Sequence, residues 1–275
     1  MILERTIAPV FAANCYVLAP GPDRPALVVD PGAGAVRGAL ALLRSNRLTL
    51  GAVLLTHGHA DHVWDTAALI ETARTEGLLA VEDPADPAAS VPVHIPEPDR
   101  YRLEDPDATT GVSAGGMTFA DLAGTPWRRP GDIRAVPAEA FSGPVELVPG
   151  LPVRAVAAPG HSEGSTLFFL NAALADNALL YEAEAVEDDP SVAEEEHDYL
   201  VALDGDVIFK GSVGRTDLPG GDQVQMWATL RFLASAVNSE TVLLPGHGAA
   251  TTMAHEHHAN PYLAEAKVRG GDRHV

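Results

Sequence analysis

The heptapeptide Thr56-His57-Gly58-His59-Ala60-Asp61-His62 constrains this chain more than any other stretch. It follows directly on the apolar run Ala52–Leu55, which reads as a buried strand. Three imidazoles and one carboxylate crowd the exit of that strand. Imidazole nitrogen and carboxylate oxygen are the ligands that zinc and iron(II) accept where no thiolate is at hand. A chance cluster of surface histidines is the competing explanation, and a position straight after a β-rich run argues against it. The spacing also has a mechanical meaning. A tight loop turns His57 and His59 to one side, while Asp61 and His62, at the start of the next helix, turn to the other, so one short segment can serve two adjacent metal ions. The lone cysteine, Cys15, excludes an internal disulfide and a thiolate-rich metal site, and reads as a packing residue of an early strand.

Three further residues share the strand-end context. His161 lies in Pro159-Gly160-His161-Ser162, His247 in Pro245-Gly246-His247-Gly248 and Asp206 in Gly205-Asp206-Val207. Each has glycine beside it, so the backbone can approach a site closely. His94, His197, His255, His257, His258 and His274 lack that context and read as surface or helix-cap residues. Around these motifs the chain alternates. Ala13–Ala19 and Ala26–Asp30 read as strands, Ala35–Arg47 as a helix, and a second helix starts near Asp61 and stops at Gly77. Val91–Ile95 reads as a strand, and residues 105–134 as loop covering the substrate side, with short helices. Val153–Ala158, Thr166–Asn171, Ala178–Glu182, Leu200–Leu203, Val207–Lys210 and Thr241–Leu244 carry strand signals, and Asp222–Ala236 and Pro261–Val268 helical ones. Strand and helix in alternation predict a layered α/β fold.

Charge narrows the partners. The balance of 18 Lys+Arg against 38 Asp+Glu gives a net charge of −20, which repels polyanions, so neither nucleic acid nor an anionic membrane surface is an expected partner. No basic, apolar leader opens the chain and no apolar stretch approaches the ~20 residues of a membrane helix, so a cytoplasmic location is expected. Acidic residues concentrate in Glu182–Asp198, readable as a solvated hairpin tip or as a lure for a cation.

The order T-H-x-H-x-D-H, P-G-H-S, G-D, P-G-H-G resembles the metallo-β-lactamase-fold hydrolase superfamily. The run from Gly205 through Lys210, Gly214 and Arg215 to Asp222, together with His247–Thr252 and Asn260-Pro261-Tyr262, is similar to its small bacterial glyoxalase II-like (hydroxyacylglutathione hydrolase-like) branch. The resemblance implies an αββα sandwich, one domain over residues 1–275 with a variable segment near 105–140 and an acidic insertion near 182–198. It implies two divalent ions, zinc foremost with iron or manganese accepted by the same ligands. His57, His59 and His161 would bind the first ion, Asp61, His62 and His247 the second, and Asp206 both. Asp61 and Asp206 thereby carry catalysis as well as metal. Asp30, in Val29-Asp30-Pro31-Gly32, either orients a metal-bound histidine or simply makes a turn.

Two ions about 3.5–4 Å apart can share a water, lower its pKa towards neutrality and steady the oxyanion formed when it attacks a carbonyl. The expected activity is hydrolysis of a small acyl thioester. Arg215 would receive a carboxylate of the thiol half, unless it is spent in a salt bridge with Asp217 or Asp222; Asp217 stands where the branch has an aromatic. A mononuclear iron persulfide dioxygenase of the same fold, using His57, His161 and Asp206, is the alternative, and a non-catalytic interaction protein a more distant one. A true β-lactamase is disfavoured by the bridging position of Asp206, and an RNA-processing nuclease by the charge. Nothing in the sequence fixes the oligomeric state.

Overall fold

The computed structural model describes residues 1–83, 86, 88–111, 116–175, 177–185 and 197–269. The chain forms two compact units, Met1–Arg154 and Ala155–Val275. Most of the acidic stretch, and with it His274, lies outside the described residues.

The first unit is built on a six-stranded sheet of order β1-β2-β3-β4-β5-β6: Ile2–Ala8, Ala13–Ala19, Pro25–Val29, Thr49–Leu54, Val93–Ile95 and Ile133–Ala135. Its first three strands run antiparallel and β3 to β6 are parallel. Parallel strands need crossovers, and helices supply them. Helix α1 (Val36–Ser45) buries Ala39, Leu40 and Leu43 on one stripe. The helix expected from Asp61 to Gly77 is two helices, α2 (Ala60–Val63) and α3 (Thr66–Thr75). The break falls at Asp65, whose amide donates to the Pro31 carbonyl while its carboxylate accepts from the Gly34 amide (2.7 Å). Those tertiary bonds replace the helical ones at that point. Val17, Val28, Leu43, Leu50, Val53, Leu69 and Ile95 belong to the core of this unit.

The stretch from residue 105, read as loop with short helices, does contain short helices. A 3-10 helix over Glu97–Glu104 leads into α4 (Pro106–Thr110), and α5 spans Phe119–Ala123. Both α-helices carry local start signals. Asp105 caps α4 with Pro106 in its first turn, and Thr118 and Asp121 form a capping box on α5. β7 (Val145–Val148) and β8 (Leu151–Ala157) form a hairpin, and β8 carries the chain into the second unit.

The second unit centres on β9 (Thr166–Leu174), followed by α6 (Ala178–Glu182) and β10 (His197–Gly205). β10 pairs antiparallel with β9 and parallel with β13 (Val242–Pro245). A small ribbon of β11 (Ile208–Phe209) and β12 (Ser212–Val213) follows Asp206, and β14 (Thr251–Thr252) edges the sheet beyond β13. Ala178–Glu182 is a helix, not the expected strand: the Asn177 side chain accepts from the Leu179 amide and starts a helical turn. Helices α7 (Gln223–Ala236), α8 (Met253–Ala259) and α9 (Pro261–Arg269) complete the unit. Met226, Leu230 and Leu233 of α7 pack with Leu167, Ala202, Leu243 and Leu263. Among the described residues no helix is long and apolar enough to cross a membrane.

Candidate metal centre

Each unit assembles part of the predicted ligand set. In the first, the ends of β3 and β4 are tied by Asp30. Its amide donates to the Leu54 carbonyl (3.0 Å), and its carboxylate accepts from the Thr56 amide (2.8 Å) and the Thr56 hydroxyl (2.6 Å). Asp30 holds φ +51°, a left-handed conformation that aspartate tolerates better than most residues. The same carboxylate lies 3.1 Å from His62 Nδ1. Of the two sequence readings for Asp30, orienting a histidine matches this contact.

These bonds fix tautomers. An ionised carboxylate only accepts, so His62 Nδ1 carries the proton and its Nε2 keeps a lone pair. The Thr56 hydroxyl gives its one proton to Asp30, so it accepts from His57 Nδ1 at 3.0 Å, and His57 Nε2 keeps its lone pair too. His57, His59 and His62 are buried. The His57 ring centroid lies 4.8 Å from that of His59 and 4.3 Å from that of His62. His62 Nε2 is 3.7 Å from an Asp61 carboxylate oxygen. Imidazoles stacked this closely around a carboxylate, with ring nitrogens prepared as acceptors, suit a cation.

In the second unit, His161 occupies the turn between β8 and β9. Gly160 makes that turn possible: it holds φ +145°, and a Cβ there would lie 2.5 Å from the Met226 backbone. Helix α7 pins the turn further, since the Asp222 amide donates to the Gly160 carbonyl (2.8 Å) and the Thr229 hydroxyl to that of Pro159 (2.6 Å). His161 Nδ1 donates to the Arg215 carbonyl at 2.7 Å, which makes Nε2 the nitrogen that carries the lone pair. Asp206, just beyond β10, holds one carboxylate oxygen 3.5 Å from His161 Nε2 and 3.5 Å from His247 Nε2. Ligands about 2.0–2.1 Å from a tetrahedral zinc stand about 3.4 Å from each other. The spacing around Asp206 therefore fits an ion on either side of a shared carboxylate.

Arg215 is placed differently in its two parts. Its carbonyl holds His161, while its guanidinium grips Asp217 through two bonds of 2.6 and 2.7 Å. That pairing lowers the Asp217 carboxyl to about 2, although both side chains are largely exposed. Of the two readings for Arg215, the salt bridge to Asp217 is the one observed.

Other sequence expectations need adjustment. His94, read as a surface residue, is buried in β5, an inner strand paired with β4 and β6, and burial lowers its pKa. Cys15 is buried among core residues, as expected, and burial raises its thiol pKa, with the charge of Asp30 adding to the shift. Asp204, two residues before Asp206, drew no attention in the sequence. It is fully buried, and burial raises its pKa well above the usual carboxylate value, helped by Asp206 and Glu256 and opposed by the backbone amides of Asp204 and Ile208.

The metallo-β-lactamase superfamily model matches residues 8–172. An uncharacterised protein of Mycobacterium tuberculosis is 31% identical over 264 residues, covering 96% of this chain and 98% of its own. The hydroxyacylglutathione hydrolase GloC of Haemophilus influenzae is 26% identical over 265 residues, covering 96% and 98%. Among solved structures, the B3 metallo-β-lactamase BLEG-1 superposes with a TM-score of 0.66 at 26% identity, covering 95% of this chain and 99% of that one. A di-iron-bound form of TTHA1623 gives 0.61 at 27% identity, covering 94% and 99%. Strands and helices in the order found here, with a histidine–aspartate cluster at a strand exit, match what the sequence led us to expect: this chain belongs to the metallo-β-lactamase superfamily, whose α/β fold it has.

Proposed function

We propose that the protein is a dinuclear metal hydrolase acting on small acyl thioesters, with residues 1–275 working as a single catalytic domain. His57, His59 and His161 would hold one ion, Asp61, His62 and His247 the other, with Asp206 shared. The observation that carries this reading is the position of the Asp206 carboxylate oxygen, equally 3.5 Å from two ring nitrogens that belong, in this assignment, to different ions. Bound divalent ions would supply an activated water and charge stabilisation for a developing oxyanion.

The chain's own residues do the rest. Asp30 holds the Nδ1 proton of His62, and the Arg215 carbonyl that of His161, so neither ring can rotate away from its task. Asp61 and Asp206 place negative charge beside the imidazoles and keep cations in place. Arg215 would receive a substrate carboxylate by exchange with Asp217. A solvent-exposed ion pair is weak, so the exchange costs little, and the guanidinium can donate to the incoming carboxylate with the same two-bond geometry. The similarity to GloC points the same way, at the level of substrate class.

A mononuclear iron centre at His57, His161 and Asp206 would leave the Asp30–His62 bond and the His247 contact without purpose. β-Lactam hydrolysis has the similarity to BLEG-1 in its favour and belongs in the same assay. Elemental analysis of the purified protein should give two divalent metals per chain. Acyl-glutathione and acyl-cysteamine thioesters, an aryl β-lactam and persulfide with oxygen should be tested side by side. Thioester turnover with two metals supports the proposal, whereas one iron with oxygen uptake, or turnover of the lactam alone, overturns it.

A further inference from the structure

The segment between β5 and α5 holds the ligand loop at two points. Asp99, fully buried in the 3-10 helix, accepts the Gly58 amide at 2.8 Å. Thr110, the last residue of α4 and also buried, accepts the Ala60 amide on its hydroxyl at 2.9 Å. These two amides flank His59. Arg102 is fully buried as well, lies 3.4 Å from the Asp99 carboxylate and donates to the Thr109 carbonyl at 2.9 Å, which ties the two contact points together. The fit leaves no room: a Cβ on Gly58 would lie 2.7 Å from Arg102 Cδ and 3.0 Å from the Asp99 carbonyl oxygen.

A buried carboxylate and a buried guanidinium are costly to desolvate, and their mutual attraction does not by itself favour burying them over apolar residues. An apolar pair would fill the space but could not accept the Gly58 amide. Exposed loop amides are ordinarily satisfied by water at no such cost. The charge pair is explained if the backbone on both sides of His59 must be held in one conformation. We infer that Asp99 and Thr110, braced by Arg102, are positioning residues that clamp the Gly58 and Ala60 amides and so preset His57 and His59 for metal. The inference rests on the metal-centre reading, and it reassigns residues 105–110, the start of the stretch read as substrate cover, to support for the ligand loop.

Zinc is the probe, titrated into metal-free protein against a chromophoric chelator, with melting temperature and hydrogen exchange of the Gly58 amide as readouts independent of turnover. Asp99→Ala should weaken zinc binding 10–100-fold and speed Gly58 exchange. Asp99→Asn, which keeps an acceptor for that amide, should stay within about threefold of wild type. Leu43→Ala, a cavity in the core of the same unit, should lower the melting temperature and leave zinc affinity unchanged. Should Asp99→Ala fail to fold, Thr110→Val decides, with an expected loss of about three- to tenfold. Wild-type affinity in a folded Asp99→Ala or Thr110→Val, or an equal loss in Leu43→Ala, overturns the clamp. A wild-type protein that binds no zinc at all would instead overturn the metal-centre reading.

Discussion

Asp30→Asn tests the orienting role with the least disturbance. Asparagine is the same size and tolerates φ +51° at least as well as aspartate. What changes is acceptor capacity. The carboxylate takes three bonds, from the Thr56 amide (2.8 Å), the Thr56 hydroxyl (2.6 Å) and His62 Nδ1 (3.1 Å). The amide oxygen can keep the first, on one side of the group. The amide nitrogen then faces the other two, where it donates rather than accepts. His62 can answer only by moving its proton to Nε2, which blocks the ligand atom, or by turning its ring. Loss of such an orienting partner typically costs 10–100-fold in metal affinity, or about 1.4–2.7 kcal/mol. Chelator competition on the metal-free protein should show one zinc step falling by that factor and the other changing less, with the secondary structure intact. Equal weakening of both steps, or none, would refute the argument that the carboxylate acts through the His62 tautomer.

Asp206→Ala should lose most bound metal and activity, more than any single histidine variant, while far-ultraviolet dichroism stays that of wild type; retention of two metals removes the shared-ligand assignment. Arg215→Ala should raise KM for anionic thioesters about tenfold or more and hardly change hydrolysis of a neutral one, whereas equal loss on both, tracking the melting temperature, would leave Arg215 a structural partner of Asp217. The buried Asp204 carboxyl, raised in the folded state, keeps a proton that the unfolded chain releases above about pH 4. Its contribution to the stability of the metal-free protein therefore declines as pH rises from about 4 through the raised folded value. Asp204→Asn should gain on wild type in melting temperature as pH rises through that window, and parallel curves would show the group has no such effect.

Much of this was legible before any coordinates. A strand exit crowded with imidazoles, two Pro-Gly-His turns and a Gly-Asp at a strand end marked the candidate residues, because polar side chains gather where the backbone stops and turns. The clamp was not legible. Asp99 and Arg102 are three residues apart, a spacing found on any solvated helix face, and only tertiary packing shows that this pair is buried. Asp105-Pro106 and Thr118–Asp121 were available as helix starts, but short helices bury too few side chains to leave a periodic pattern. Ala178–Glu182 is apolar enough to be read as strand or helix, and the deciding bond comes from Asn177 outside the run. His94 was misjudged because an inner strand of a parallel sheet is ordinarily covered on both faces, so a polar residue in the middle of one is buried whichever way it points.

Residue 215 divides its labour between atoms that mutation can and cannot reach. The carbonyl that steadies His161 belongs to the main chain, and every amino acid brings one. The guanidinium, mostly in solvent beside Asp217, belongs to arginine alone. If Arg215 meets substrate as proposed, substitutions at 215 that leave the local backbone path unchanged would recast what is recognised without disturbing His161. In a lineage or a selection library, this is a position where specificity can wander while the catalytic apparatus stays inherited.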